Sequence, residues 1–329
     1  MSDYCGLQLM TEIITPLKGG SLNSTCLYEI GDRKFIRKTI STNYNREYGY
    51  VRWYSQLKKL QRYDSLFPSL VPKVLDAGVS SDGAYFDIEY ITGKDIKTLF
   101  VDNEISNVPV LIDRLTTAFD TLHNTTYSHN TSSLMLYFIE EVEQKLNDAL
   151  QFSEFKTFYD IDSYQYKGET VNGMKTTFAK FKKLFNTNIA GESYVHGNPT
   201  LENIMYDPLT EKITFIDLYE EGIVDSKFMD YSQVLQCSSS YYGITNDSLV
   251  TVNENVAESF ATIPAKLIEF DTKFNNYLDS RYSPNELHLI RLFEATQFFR
   301  MLPFKCHAGH LTNAKFFYTH ACYLVNRLL

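Results

Sequence analysis

A polar loop between two apolar stretches carries the residues best suited to chemistry in this chain of 329 residues. The loop begins with His196-Gly197-Asn198, and Asn203 follows five residues after Asn198. A predicted strand over 212–217 then ends in Asp217. Polar groups among buried strands need partners, and carboxylate and amide oxygens are ligands of hard cations such as Mg²⁺. The pattern indicates a phosphate and metal site, in which a carboxylate would be expected in place of Asn198.

The composition limits the classes of partner. The formal net charge is −9, which argues against nucleic acid or an anionic membrane as the main partner. Apolar residues make up 44% and aromatic residues 15% of the chain, as in globular proteins. Five scattered cysteines without a CxxC pair indicate neither a zinc site nor a disulfide framework. No signal peptide and no apolar stretch of membrane-spanning length is recognised, so we expect a soluble cytoplasmic protein.

The first ninety residues predict strands and one helix. A Gly-rich turn over 18–25 precedes a hairpin that turns at Gly31-Asp32 and returns over 34–40. Such a turn either lets backbone N–H groups approach a phosphate or is an ordinary hairpin turn. A helix over 45–63 with Glu47 in its first turn follows, and two strands are predicted within 70–91.

The pattern changes at 91–95, where mainly strand gives way to mainly helix. This change predicts two domains, residues 1–91 and residues 92–329. Helices are predicted over 107–123, 133–152, 172–187, from 230, over 283–301 and over 311–328. Ser283-Pro284-Asn285-Glu286 predicts a capping box at the start of the fifth of these helices. The segment 153–168 allows no firm assignment.

Taken in order, these motifs resemble the aminoglycoside phosphotransferase and choline kinase superfamily, whose members have a protein-kinase-like fold. The catalytic loop of that family reads H-G-D-x4-N and precedes a strand that ends in a metal-binding Asp; this chain has HGNPTLEN (196–203) and KITFID (212–217). The phosphate-loop hairpin of the family is similar to PLKGGSLNSTCLYEI, and its hinge is similar to YITGKDI (90–96). Two of its helices are similar to the segments with Leu122-His123 and with DSKFMDYSQVLQ (225–236). The resemblance covers about residues 12–236.

The resemblance implies an α+β, bilobal, protein-kinase-like fold, with a small antiparallel N-terminal lobe containing one helix and a larger, mostly helical C-terminal lobe. It also implies a small-molecule kinase that passes the γ-phosphoryl group of ATP or GTP, with Mg²⁺, to a hydroxyl of a sugar-like or amino-alcohol metabolite. The alternative is a pseudokinase that binds nucleotide without turnover and acts through a protein partner.

The resemblance assigns site residues as well. Asp217 and Asn203 would hold Mg²⁺, and His196 would support the loop. Arg37 or Lys38 would contact the phosphates and pair with Glu47, and because the strand alternates only one of them faces inward. The family often has Arg at this strand position, in a V-L-R-type run, and the run F-I-R therefore favours Arg37. Asp230 would connect its helix to the loop. Backbone groups would hold the base at Glu89 and Ile91. Backbone N–H groups would cover the phosphates at Gly19, Gly20, Ser21, Asn23 and Ser24.

Asn198 departs from the family pattern, because a neutral amide cannot act as the catalytic base. Three interpretations are open. The first is an engineered Asp→Asn change that leaves little or no activity, and the second is a natural pseudokinase. The third is an active enzyme in which the substrate assists proton removal or another residue, such as Asp217, Glu202 or Glu220, performs it.

The acceptor site is less defined in the sequence. Acidic side chains could receive an ammonium group, and tyrosines could stack on a sugar. Arg300 ends a helix, where it could also simply complement the helix dipole. The candidates are Glu220, Glu221, Asp225, Tyr241, Tyr242, Arg300 and His307.

Overall fold

The computed structural model describes residues 12–17, 24–41, 46–79, 83–219 and 222–329. The chain is α+β, with an antiparallel N-terminal sheet and a mainly helical C-terminal part. It divides into two compact units: residues 1–93 with 214–220 form the N-terminal unit, and residues 94–213 with 221–329 form the C-terminal unit. The sequence placed the division after residue 91 and did not anticipate that 214–220 belongs with the N-terminal unit.

The N-terminal unit contains a five-stranded sheet of order β1-β2-β3-β5-β4, with antiparallel pairing throughout. The predicted turn at Gly31-Asp32 is confirmed, and Gly31 has the positive φ of 58° that tight hairpin turns favour. The helix packs on the sheet through Trp53, whose ring lies 6.2 Å from that of Phe86. The elements are β1 (Glu12–Leu17), β2 (Ser24–Ile30), β3 (Arg33–Ser41), α1 (Arg46–Leu66), β4 (Val74–Val79) and β5 (Gly83–Glu89).

The C-terminal unit is built around buried faces of long helices. The capping box is confirmed: Ser283 N donates to Glu286 Oε2 at 2.9 Å, and Glu286 N donates to Ser283 Oγ at 3.4 Å. The helices predicted over 107–123, 172–187, 283–301 and 311–328 are also confirmed. The helices are α2 (Ile96–Val101), α3 (Val108–His123), α4 (Leu134–Phe138), α5 (Gln144–Ala149), α6 (Ser153–Tyr159), α7 (Met174–Lys183), α8 (Lys227–Ser238), α9 (Tyr242–Asn246), α10 (Ala265–Arg281), α11 (Pro284–Arg300), α12 (Leu302–His307) and α13 (Leu311–Leu328).

The prediction of one continuous helix over 133–152 is wrong in one respect. A π-helical turn, Ile139–Glu143, separates α4 from α5. One inserted residue per turn changes which side chains share a face, and such turns occur frequently at functional sites. A 3₁₀ turn, Leu201–Asn203, lies within the polar loop.

Short strands complete the C-terminal unit, and the sequence did not predict most of them. β8 and β14 pair in parallel within a four-stranded sheet of order β13-β14-β8-β9, on which α13 packs through rings such as Tyr318 against Tyr164. The strands are β6 (Lys94–Asp95), β7 (Thr126–Ser133), β8 (Ser163–Tyr166), β9 (Glu169–Asn172), β10 (Asn188–Ser193), β11 (Ile204–Asp207), β12 (Lys212–Phe215), β13 (Val250–Asn253) and β14 (Val256–Ser259). Among the described helices, none combines the length and apolar character needed to span a membrane.

Candidate active site

The polar loop predicted from the sequence, residues 196–203, is held in the C-terminal unit by one buried carboxylate. We call this segment the HGN loop. Asp230 on α8 accepts hydrogen bonds from the backbone N–H of His196 and of Gly197, both at 2.8 Å. It also accepts one from His123 Nε2 at 2.9 Å. Gly197 has φ of 87°, a left-handed conformation that glycine adopts without steric cost. The predicted connection between α8 and the loop is therefore confirmed.

The surroundings of Asp230 favour its charged form. The residue is fully buried, and burial alone would raise the pKa of the carboxyl group. The hydrogen bond from His123, the nearby charges and the N–H of Gly197 outweigh burial and hold the pKa of Asp230 below its usual value. Asp230 thus gives the loop a fixed, negatively charged anchor.

Inside the loop, two side chains fold back on the backbone of Asn198. His196 Nδ1 accepts the N–H of Asn198 at 3.1 Å, so this ring nitrogen carries a lone pair rather than a proton. Asn203 Nδ2 donates to the carbonyl of Asn198 at 2.9 Å. Because that carbonyl can only accept, the Asn203 amide orientation is fixed and its Oδ1 remains the acceptor atom. His196 supports the loop, as predicted, and the Oδ1 of Asn203 is the acceptor atom of its amide.

In the N-terminal unit, a cation and a carboxylate far apart in sequence meet. Lys38 Nζ on β3 lies 2.5 Å from Asp217 Oδ1, although 179 residues separate them. The Lys38 side chain is 11% exposed and that of Asp217 is 37% exposed, so solvent reaches the carboxylate more readily than the ammonium. Asp217 has φ of 56°, an uncommon conformation for a residue other than glycine, and such conformations cluster at functional sites.

A small cavity adjoins this ion pair within the N-terminal unit. It lies between α1, the sheet and the segment that carries Asp217. Gln56 contributes a buried Oε1 for which the described residues supply no hydrogen-bond donor. The residues around the cavity are Lys38, Gln56, Leu60, Pro72, Phe86, Ile88, Asp217 and Leu218.

The two basic residues in the middle of β3 have different partners. Arg37 donates from Nε and Nη2 to the two carboxylate oxygens of Asp87, both at 2.7 Å. Its guanidinium also lies 4.3 Å from the centre of the Tyr85 ring and 5.1 Å from that of Tyr28. The hydrogen bond with Asp87 raises the pKa of Arg37. Strand register causes this arrangement, because Arg37 lies opposite Asp87 on β5 and successive side chains point to opposite faces.

Half of the predicted nucleotide-binding residues fall among those that the structure describes. Gly19, Gly20, Ser21 and Asn23 lie outside the described residues, as does the side chain of Glu47. Besides Arg37 and Lys38, three of the predicted residues are described. Ser24 begins β2. Glu89 ends β5, where its N–H donates to Lys73 O at 2.9 Å. Ile91 is half-buried and precedes Gly93, whose φ of 96° accompanies the change of unit.

The acceptor candidates have different surroundings. Glu220 and Glu221 lie outside the described residues. Asp225 is buried and accepts the N–H of Gly222 at 3.2 Å, which favours a structural role. Tyr241 is half-buried at the start of α9, and burial raises the pKa of its hydroxyl. Arg300 does more than complement a helix end, because its Nε donates to Glu141 Oε2 at 2.8 Å.

The other two of these candidates, Tyr242 and His307, lie elsewhere in the C-terminal unit. Tyr242 is the first residue of α9 and its ring contacts Phe317, with centroids 5.4 Å apart. His307 ends α12, and its ring contacts Phe152, with centroids 5.0 Å apart.

Sequence reasoning missed the partners of the HGN loop on its other side. Lys97 Nζ lies 2.6 Å from Glu202 Oε1 and 2.5 Å from Asp247 Oδ2. Burial lowers the pKa of Lys97, but the two carboxylates outweigh it and the net shift is upward. Glu202, one of the alternative bases, is thus paired with a cation. Gln233 is a further missed residue, since its Nε2 donates to the carbonyl of Gly197 at 3.2 Å; only its place on the helix of Asp230 signalled it.

Among the described residues, no group of three or more His, Cys, Asp and Glu side chains has the arrangement of a metal site. The amide oxygen of Asn203 and the carboxylate of Asp217 are of the chemical type that Mg²⁺ prefers. Comparison with protein-family models gives no match for this chain, and comparison with curated proteins gives no significant match.

Proposed function

We propose that this protein is a small-molecule kinase with a protein-kinase-like fold, which binds ATP or GTP with Mg²⁺ and acts on a hydroxyl group. The ion pair between Lys38 and Asp217 carries the proposal. It joins the two charges that a nucleotide site needs, a cation for phosphate oxygens and a carboxylate for the metal that accompanies them. Surface ion pairs are common, but this lysine is largely buried and the aspartate has an uncommon backbone conformation.

Phosphoryl transfer depends on position and charge more than on covalent help from the protein. Lys38 would contact the phosphates, and Mg²⁺ would neutralise the charge that develops on them. The family resemblance assigns the oxygen atoms of Asn203 and Asp217 to that ion. The HGN loop supports this role, because Asp230 and His196 fix its backbone around Asn198.

The identity of residue 198 favours a second candidate. An amide at the base position is expected in a nucleotide-binding pseudokinase, which would act through a protein partner. The anchors of the HGN loop nevertheless remain complete, since Asp230, His196 and Asn203 all make the contacts that hold it. We therefore place the kinase first, with the Asn198 form of low or no activity.

A thermal-shift experiment tests the nucleotide site. We expect ATP or GTP with Mg²⁺ to raise the melting temperature of the chain, because a ligand that binds only the folded state stabilises it. Lys38→Met and Asp217→Asn should abolish most of this rise. Lys34→Met is the matched control on the same strand, since Lys34 forms an exposed pair with Glu29 and should leave the rise intact.

Arg37→Met separates the two basic residues of β3. Its loss leaves Asp87 buried without its bidentate partner, so the melting temperature should fall in the absence of nucleotide. The rise caused by nucleotide should persist. If instead Arg37→Met removes the rise and Lys38→Met retains it, the assignment of the phosphate contact to Lys38 is wrong. If neither nucleotide shifts the unmodified chain, both candidate functions lose their basis.

A further inference from the structure

A set of polar side chains connects the HGN loop to the end of α11. Gln233 Nε2 donates to the carbonyl of Gly197 at 3.2 Å, and that peptide group supplies the backbone nitrogen of Asn198. The same Nε2 lies 3.3 Å from Gln297 Oε1. Gln233 is therefore one peptide group away from the residue at the base position.

The connection continues to two charged residues. Gln297 Oε1 also accepts a hydrogen bond from Arg300 Nη1 at 2.9 Å. Arg300 Nε in turn donates to Glu141 Oε2 at 2.8 Å. The side chains of Arg300 and Glu141 are 21% and 23% exposed, so a molecule in solvent can reach them. We call Glu141, Gln233, Gln297 and Arg300 the Arg300 cluster.

The buried end of this cluster has an acceptor without a donor. Gln233 is 2% exposed, and its Oε1 finds no hydrogen-bond partner among the described residues. The Gln233 side-chain amide cannot be flipped without loss of two hydrogen bonds, because its Nε2 faces the backbone oxygen of Gly197 and the side-chain Oε1 of Gln297. Buried polar atoms normally have partners. A hydroxyl group of a bound molecule is a suitable donor.

The exposed end of the cluster depends on an irregular helix. Glu141 lies in the middle of the π-helical turn between α4 and α5. A regular α-helix through this segment would rotate the following residues relative to those before the turn. The irregular turn and the unpartnered Gln233 oxygen are independent observations at the two ends of one cluster.

We infer that the Arg300 cluster is the acceptor subsite and that it binds a neutral polyhydroxylated molecule such as a sugar or an alditol; this inference rests on the proposed kinase function. Arg300 supplies N–H donors and Glu141 supplies oxygen acceptors, a combination that suits hydroxyl groups, which both donate and accept. Their charges cancel, so the cluster does not favour a net ionic ligand.

The cluster disfavours the cationic acceptors that the sequence had left open. Recognition of a quaternary ammonium group uses exposed aromatic faces. The aromatic neighbour here, Tyr137, is 3% exposed and packs edge-on against Phe293. An ammonium ligand would also lie beside the positive guanidinium of Arg300. Within the cluster, Arg300, Glu141 and the Oε1 of Gln233 would contact the ligand, whereas Gln297 is a positioning residue.

Titration calorimetry with unmodified chain, with and without ADP and Mg²⁺, tests the inference. The probes are D-aldohexoses, alditols, choline chloride and kanamycin. We expect binding of at least one hexose or alditol and none of choline or kanamycin. Arg300→Ala should weaken the sugar affinity about 10-fold or more, the usual effect of removing a hydrogen bond to a charged group. Arg281→Ala is the matched control, since Arg281 pairs with Asp120 elsewhere in the same unit.

Two further variants distinguish recognition from folding. Arg300→Lys keeps the charge but loses the planar fork, so it should fold like the unmodified chain and still bind sugar more weakly. Gln233→Leu should also lower sugar affinity, because it removes the unpartnered Oε1. Binding of choline or kanamycin, binding of no polyol, or a sugar affinity in Arg300→Ala and Arg300→Lys equal to that of the unmodified chain would overturn the inference. If sugar binds but neither ATP nor GTP raises the melting temperature, the proposed kinase function alone is overturned.

Discussion

Replacement of Asp230 by alanine should destabilise the C-terminal unit strongly. The change removes the acceptor of two backbone N–H groups at 2.8 Å and of His123 Nε2 at 2.9 Å. Each buried donor left without an acceptor costs about 1–3 kcal/mol. Partial relaxation reduces the sum, so we expect a loss of about 3–5 kcal/mol, the usual cost of breaking a buried pair. For a unit of this size, that corresponds to a melting temperature lower by about 6–20 °C.

The chain offers separate readouts for its two units. Its single tryptophan, Trp53, is buried in α1 and reports on the N-terminal unit by fluorescence. Far-UV circular dichroism reports mainly on the C-terminal unit, which contains most of the helices. The dichroism transition of Asp230→Ala should shift by the amount given above. Asp120→Ala removes a half-buried partner of Arg281 near the surface and should cost about 1 kcal/mol or less. Equal, small losses in the two variants would refute the anchoring role of Asp230.

Three other predictions concern pH, thiols and helix capping. Because the pKa of Asp230 is lowered in the folded state, its contribution to stability is present above the unfolded pKa of about 3.9 and is lost as pH falls through the folded pKa. Asp230→Asn should therefore be less stable than the unmodified chain at neutral pH, and the difference in their free energies of unfolding should shrink as the pH falls. Burial raises the pKa of Cys237 to about 12, of Cys306 to about 11 and of Cys322 to about 12, so Ellman's reagent at pH 8 should react with them only after unfolding, and fast reaction in the folded chain would contradict this. Ser283→Ala should lower the free energy of unfolding by about 0.5–2 kcal/mol in urea titrations, and no change would show that the capping box contributes nothing.

Features set by neighbouring residues were predictable from the sequence. The capping box at Ser283 and the turn at Gly31-Asp32 depend on a few adjacent side chains and backbone angles, and both form as expected. The family resemblance pointed to Asp230 as the anchor of the HGN loop. Local patterns therefore identified the parts of the candidate site that lie within a few residues of each other or within one motif.

Features set by distant residues were not predictable in this way. Alternation on β3 showed that Arg37 and Lys38 face opposite sides, but the choice between them depends on the register with β5, which brings Asp87 opposite Arg37. The pairing of β8 with β14 joins segments about ninety residues apart, and strands of four residues carry little periodicity. The π-helical turn around Glu141 leaves no local sequence signal either.

Turnover by Asn198→Asp tests the central claim most directly. The variant places a carboxylate at the proposed base position of a loop that Asp230, His196 and Asn203 hold. With ATP or GTP, Mg²⁺ and a panel of hexoses and alditols, we expect acceptor-dependent release of nucleoside diphosphate at about 10²–10⁴ times the rate of the Asn198 chain, the range of general-base catalysis. Nucleotide binding without any increase in turnover over the Asn198 chain would contradict the kinase and favour the pseudokinase.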